Sequence, residues 1–344
     1  MYIVVKVATE RDAEKWNRIV DNDPQGSFFD RFEWCNGLGS TSENLNSLPL
    51  LIDKDGETIS VFPSCLVHEK LRKSLESLPF SGYGGGPLFR RKDILTDKEF
   101  SRRLYECIIQ KGKQNTCLKI SIRRAYFTNL ISQDQIGFPV IVDTKTCTFV
   151  IGLAKDPDKV YKRIDNSRRR SIRQGEKRGT NIYEAKNLDD LDAYYKIYSE
   201  TMRRLDSARL PFQFFRYIWD KFVLGNEAKI FMAECNNILI GGIVLLVHKD
   251  VCNAWSGGSL YEYEDRRPMD VLIWHSIKWA IENSMKSFDL GTTPNDPSSG
   301  HYFHKQTWGG EKMMLYNYHI ILQPKLWKFY KLGNEMIKKV RTIL

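Results

Sequence analysis

The sequence is short of the residues from which metal and redox centres are built. Its seven cysteines, Cys35, Cys65, Cys107, Cys117, Cys147, Cys235 and Cys252, are odd in number and never closer than ten residues apart, so no CxxC pair and no metal-ligand spacing exists. Reduced core thiols in a reducing compartment follow, and neither a metal nor a cofactor is expected. No uninterrupted apolar run is long enough to cross a bilayer. The opening MYIVVKVATERDAEKW turns charged after a few residues, which excludes a secretory signal and points to the cytoplasm. Nucleotide loops of the common kinds are missing too. Gly84, Gly85 and Gly86 are followed by no Gly-Lys-Ser and by no GxGxxG before a helix.

Positive charge is what the chain has in excess. A net charge of +10 favours an anionic partner such as tRNA, a nucleotide, a diphosphate or an acidic membrane face. The charge is densest in DPDKVYKRIDNSRRRSIRQGEKRG, residues 156–179, where Asp156 and Pro157 are an N-cap and a first helical position. On that helix Asn166, Arg170, Arg173 and Lys177 share one stripe, and Ile164, Arg168, Ile172 and Gly175 share the next. Clustered arginines repel unless something anionic neutralises them, and Glu176 alone does not compensate. Arg170, Arg173 and Lys177 are therefore read as anion-facing, against the plainer reading of a solvated helix face.

A length of 344 residues suggests two domains. Strands are expected over residues 2–7, 49–52, 58–67 and 118–122, with a hairpin at Lys54-Asp55-Gly56, and helices over 10–20, near Phe32 and over 97–112. A strand over 147–151 opens the second unit. Helices over 188–205 and after Pro211 follow, then three sequential antiparallel strands over 229–234, 239–247 and 252–257, and a helix over 268–285 apolar on almost all sides. Strand 287–290 is broken by Gly291 and Pro294. Beyond it a loop carries His301, Tyr302, Phe303, His304, Lys305 and Trp308, aromatic and cationic groups where binding and chemistry usually sit. The mixed order argues for α/β architecture.

That order, ending in FDLGTTP (288–294) and FHKQTWGG (303–310), resembles the FemAB family of non-ribosomal peptidyl and aminoacyl transferases and related acyltransferases. WNRIVDNDPQGSFFDRFEW (16–34), LPFSGYGGGPL (78–88) and SRRRSIRQGEKRGTNI (167–182) match the family in position. No heptad-bearing arm is present, so the chain is similar to the compact type. The resemblance implies two tandem GNAT-like α/β domains with mixed, largely antiparallel sheets: residues 1–145, then 146–322, with a C-terminal helix over 323–344 packing back on the first domain. Family members that build peptidoglycan cross-bridges move an amino acid from aminoacyl-tRNA onto an amine of a cell-wall precursor. The chain is accordingly expected to be an acyltransferase. Its donor would be aminoacyl-tRNA or another activated acyl group, and its acceptor an amine on a nucleotide- or lipid-linked cell-surface precursor. It would act as a monomer with peripheral contact at the inner membrane face. The alternatives are an acyl-CoA-dependent N-acyltransferase of a sugar or peptide amine, and a non-catalytic protein that binds RNA or a membrane surface.

The resemblance also assigns roles. Lys305 is the cation on a phosphate of the precursor or tRNA end, and Asp289 either accepts a hydrogen bond from the incoming amine or, as the stronger reading, stabilises its turn. His304 is a candidate general base. One of Arg204 and Arg209 grips a diphosphate. Tyr83 and Tyr302 contact substrate. Acyl-CoA enzymes of the ordinary kind grip the pyrophosphate with a glycine-rich turn at a helix N-terminus. Here that connection is SLYEYEDRRPMD (259–270), which has no glycine and places Pro268 where a donor is wanted. An aminoacyl-tRNA donor is thus favoured over acyl-CoA, although Arg266 and Arg267 could partly substitute for the missing turn. In the C-terminal segment Leu326, Phe329, Tyr330, Met336, Ile337, Val340 and Leu344 form a helical stripe, expected to dock on protein rather than lie on an anionic membrane.

Overall fold

A computed structural model describes residues 2–69, 72–79, 84–90, 98–124, 136–330 and 332. The chain divides into two compact units, Met1–Thr144 with Leu315–Leu344, and Lys145–Met314. The second unit thus ends at Met314 and not at residue 322, because the remainder of its last strand belongs to the first unit. Tyr316–Ile321 pair there, antiparallel, with Lys119–Arg124.

The first unit contains β1 (Ile3–Val7), α1 (Ala13–Asn22), α2 (Phe32–Thr41), β2 (Leu45–Ser47), β3 (Leu50–Lys54), β4 (Glu57–Phe62), β5 (Cys65–Glu69), β6 (Arg72–Glu76), β7 (Leu88–Phe89), α3 (Lys98–Gln114) and β8 (Lys119–Arg124). Strands β1, β3, β4 and β7 form one antiparallel sheet, while β2, β5, β6 and β8 run side by side in another. The single strand expected over 58–67 is two strands in different sheets. Pro63 lacks the N–H that a continuous ladder needs, and the chain changes sheet there. Asp30 ties the LPFSGYGGGPL stretch to this unit. Its buried carboxylate accepts from the Gly85 N–H at 2.6 Å and from the Ser27 N–H and hydroxyl at 2.9 and 2.6 Å. A Cβ on Gly84, whose φ is +108°, would lie 2.6 Å from both Asp30 Oδ2 and Ser27 Oγ. The glycines therefore have a packing reason. Tyr83, expected to line the acceptor site, lies outside the described residues.

Strand β9 (Val140–Gly152) carries the chain into the second unit. There follow α4 (Pro157–Arg163), α5 (Asn166–Lys177), β10 (Asn181–Glu184), α6 (Leu188–Arg204), α7 (Phe212–Ile218), β11 (Ala228–Cys235), β12 (Ile238–His248), β13 (Val251–Ser259), α8 (Pro268–Glu282), β14 (Ser287–Asp289), β15 (Thr293–Pro294), α9 (Gly300–Gln306) and β16 (Glu311–Ile321). The sheet of this unit has the order β10-β11-β12-β13-β14-β9, antiparallel except between β13 and β14. Helix α8 buries Leu272, Ile277 and Ala280 in the core that the sheet shares with Phe149, Ile151, Phe231 and Phe288. A Cβ on Gly175 would meet Val271 Cγ2 at 2.5 Å, so α5 lies very close to α8.

The described part of the C-terminal segment is helical over 324–330. Leu326 and Phe329, expected on its buried stripe, are 56% and 71% exposed, whereas the Arg72 guanidinium lies 4.5 Å from the Tyr330 ring centroid. Met336, Ile337, Val340 and Leu344 fall outside the described residues. Among the described residues no helix is long and apolar enough to cross a membrane.

Candidate active site

The site begins where two parallel strands part. β13 and β14 pair only over Val251–Asn253 and Ser287–Asp289, after which β14 ends and β13 runs on to Ser259. Beyond Asn253 the β14 side of β13 is an open edge, so alternate backbone N–H and C=O groups face a gap. The other side of β13 carries a β-bulge at the same level: Ala254 pairs with Leu245 and Ser256 with Val244, leaving Trp255 as the extra residue. The Trp255 ring packs at 5.6 Å from Phe215 and 6.0 Å from Phe214.

A rigid turn faces that edge. Gly291 has φ +76°, and a Cβ on it would come 2.7 Å from Ala254 O, so only glycine fits. Asp289 is fully buried, and its Oδ1 accepts from the Gly291 N–H at 2.7 Å and from the Thr148 hydroxyl. Thr148 Oγ1 also lies 2.9 Å from the Gly291 carbonyl. Lys305, from α9, donates from Nζ to Gly291 O at 2.8 Å and Thr292 O at 2.9 Å. Burial lowers the pKa of this ammonium to about 8, with Asp289 opposing the shift. An ammonium has three donors, and two of them are committed here.

The gap opens into two adjoining bays of the second unit. One, of about 560 Å3, is lined by Arg168, Arg204, Glu264, Arg267, Asp270 and His304, among others. Three arginines against two carboxylates leave it cationic. The other, of about 330 Å3, is walled by Ile243, Trp255, Met269, Ile273 and Leu290, with Lys305 and His304 also lining it. Arg168 and Asp270 form a nearly buried ion pair, and Arg168 also donates to the Thr307 hydroxyl at 3.3 Å and lies over the Trp308 ring. Burial pushes the Asp270 carboxyl up, but the His304 ring, 3.7 Å away, and Arg168 outweigh it and hold its pKa below the ordinary value.

The N-terminus of α8 borders the cationic bay, and it is poorly made for a diphosphate. Pro268 has no N–H, and the N–H groups of Asp270 and Val271 both donate to Arg267 O, at 3.1 and 3.2 Å. Asp270 adds a carboxylate in the first turn. Residues 260–267 run through a 3-10 turn into Arg267, which is left-handed at φ +54°. The connection into this helix, residues 259–267, contains no glycine.

The structure brings together Lys305, Asp289, His304 and Arg204. Arg204 lines both bays, its guanidinium 5.5 Å from the Tyr261 ring centroid. Arg209 sits exposed in the loop after α6 and lines neither bay. Arg170, Arg173 and Lys177 are exposed on α5 and line neither bay. Tyr302 is 5% exposed and packs on Phe149 at 5.1 Å, a core position. Sequence reasoning passed over Arg168 and Asp270. The signal for Arg168 was its place on the stripe with Ile164, Ile172 and Gly175, which is the stripe that turns inward.

Residues 164–306 match the family model of the acetyltransferase (GNAT) domain. No curated protein matches the chain in sequence. Among solved structures, FemX superposes with a TM-score of 0.67 at 15% identity over 95% of this chain and 99% of that one. L-PGS from Bacillus licheniformis gives 0.58 at 12% identity over 92% and 94%, and a tandem GNAT protein from the clavulanic acid biosynthesis pathway gives 0.55 at 7% over 92% and 97%. These likenesses are likenesses of fold.

Proposed function

Starting from a chain whose residues 164–306 match the acetyltransferase (GNAT) domain, we propose that the protein transfers an aminoacyl group from aminoacyl-tRNA to an amine of a phosphate-linked cell-surface precursor. The observation that carries this reading is the pairing of an open β13 edge, suited to acyl transfer, with an α8 N-terminus that has no N–H at Pro268 and carries the Asp270 carboxylate in its first turn. A cationic bay then serves phosphates of a donor other than CoA. The fold is similar to those of FemX and L-PGS.

In this reading the ester carbonyl of the donor lies against the β13 edge, whose backbone N–H groups stabilise the tetrahedral oxyanion. The acceptor amine attacks the carbonyl carbon, and His304 takes its proton. As the C–O bond of the ester breaks, the third hydrogen of Lys305 Nζ goes toward the leaving ribose oxygen. A pKa of about 8 suits an acid that must be charged at neutral pH and still give up a proton. Asp289 and Thr148 fix the Gly291 turn that Lys305 is clamped to, and so act on positioning. The test is to incubate the protein with charged tRNAs and, separately, with acyl-CoAs in the presence of amine acceptors. Consumption of an aminoacyl-tRNA with a new amide product is expected. Consumption of acyl-CoA alone would overturn the donor, and RNA binding without transfer to any amine would leave a binding protein instead.

A further inference from the structure

The smaller bay differs in chemistry from its neighbour. Its walls are Ile243, Trp255, Met269, Ile273 and Leu290, and its charged lining side chains are the cations Arg204 and Lys305, with no carboxylate. It sits at the β13 edge beside Lys305, where the acyl carbon would lie. Trp255 is fixed from behind by Phe214 and Phe215, so this wall is preformed.

We infer that this bay holds the side chain of the transferred acyl group, and that the enzyme selects a bulky apolar side chain, of leucyl or phenylalanyl size, over small or cationic ones. The inference rests on the acyl-transfer reading of the site. Volume decides against a small group: a cavity of roughly 150 Å3 with aliphatic and aromatic walls already takes a benzene-sized guest, and this bay measures about 330 Å3. A glycyl or seryl donor would leave the walls wet or empty. A lysyl side chain would bring its ammonium toward Arg204 and Lys305 with no carboxylate to meet it. Gly257 sets the size. A Cβ there would come 2.9 Å from Met269 Cε, the flexible end of a wall residue, so a larger residue at 257 fits by pushing Met269 into the bay.

The probes are amino-acid amides, which need no assumption about the donor's body. Glycinamide, alaninamide, leucinamide, phenylalaninamide and lysinamide are titrated into the whole protein. The indole N–H resonance of Trp255, identified by its loss in Trp255→Phe, is followed by NMR. Leucinamide and phenylalaninamide should move that resonance and bind at least about tenfold tighter than glycinamide, since one methylene in an apolar pocket discriminates by roughly 10–200-fold. Gly257→Val should erase the preference. The wild-type series stands by itself if that variant fails to fold. Equal binding of glycinamide and leucinamide, tightest binding of lysinamide, or no response at Trp255 would each overturn the inference. If the apolar amides bind as stated and no aminoacyl donor is consumed, the transfer reading falls and the apolar bay stands. If donors are consumed with glycyl preferred, the transfer reading stands and the bay's role falls.

Discussion

Replacing Asp270 by Asn probes the ion pair that holds the cationic bay in shape. The carboxylate side chain is 8% exposed and that of Arg168 13%, so the substitution leaves a nearly buried guanidinium without its counter-charge. Removing one member of such a pair costs about 3–5 kcal/mol. Asn keeps an acceptor oxygen, and Arg168 keeps the Thr307 hydroxyl and the Trp308 ring. The expected loss is therefore about 2–3 kcal/mol, or about 4–12 °C in the melting temperature of a unit of this size. The acid dependence gives a second handle. Asp270 titrates below its unfolded value, so its contribution is present above the ordinary carboxylate range and is lost as pH falls through the folded pKa. Calorimetry should show the gap between wild type and Asp270→Asn at about pH 7 to 8 and its closing below about pH 4. A gap under about 1 °C at pH 7, or one that persists undiminished below about pH 3, would refute the reasoning.

Gly291→Ala forces a left-handed turn on a residue with a Cβ and drives it against Ala254 O. A loss of about 1–3 kcal/mol should lower the urea midpoint, and an unchanged midpoint would contradict the turn geometry. Lys305→Met should lower the transfer rate about 10²–10³-fold with little change in KM, as for loss of a single preorganised donor. In the wild type the rate should fall as pH rises through about 8, where Lys305 loses its proton, and the variant should lack that limb. Arg173→Ala, at an exposed position, should reduce the salt slope of tRNA binding by about 1 without moving the melting temperature. A flat response in filter binding across a potassium chloride series would remove Arg173 from the donor surface.

Much of the second unit can be read from residue pattern alone, because β11, β12 and β13 are long and α4, α5 and α6 carry side-chain N-caps. The three strands read as 229–234, 239–247 and 252–257 are Ala228–Cys235, Ile238–His248 and Val251–Ser259. Gly291 marked its turn by composition. Helix α9 was missed and read as loop, for it is seven residues long and has no side-chain N-cap bond to announce it. The charge pattern of α5 drew attention to its exposed stripe, whereas Arg168 lies on the next one. Exposed arginines are conspicuous in sequence, whereas Arg168 gains its meaning from Asp270, a partner 102 positions away that no local rule supplies. The split of residues 58–67 into two sheets was announced by Pro63, yet the alternation on either side of it hid the break.

The second unit is one continuous piece of chain set inside a first unit made of two pieces. On the ribosome, where domains usually close in order from the N-terminus, this arrangement reverses the sequence of events. Strand β8 has emerged long before Tyr316–Ile321, the segment that pairs with it. Until translation passes residue 321, one side of β8 is an open edge of the kind that nascent chains must keep from pairing with one another. The later-made second unit can finish first, and the N-terminal unit waits for the tail of the polypeptide to complete its sheet.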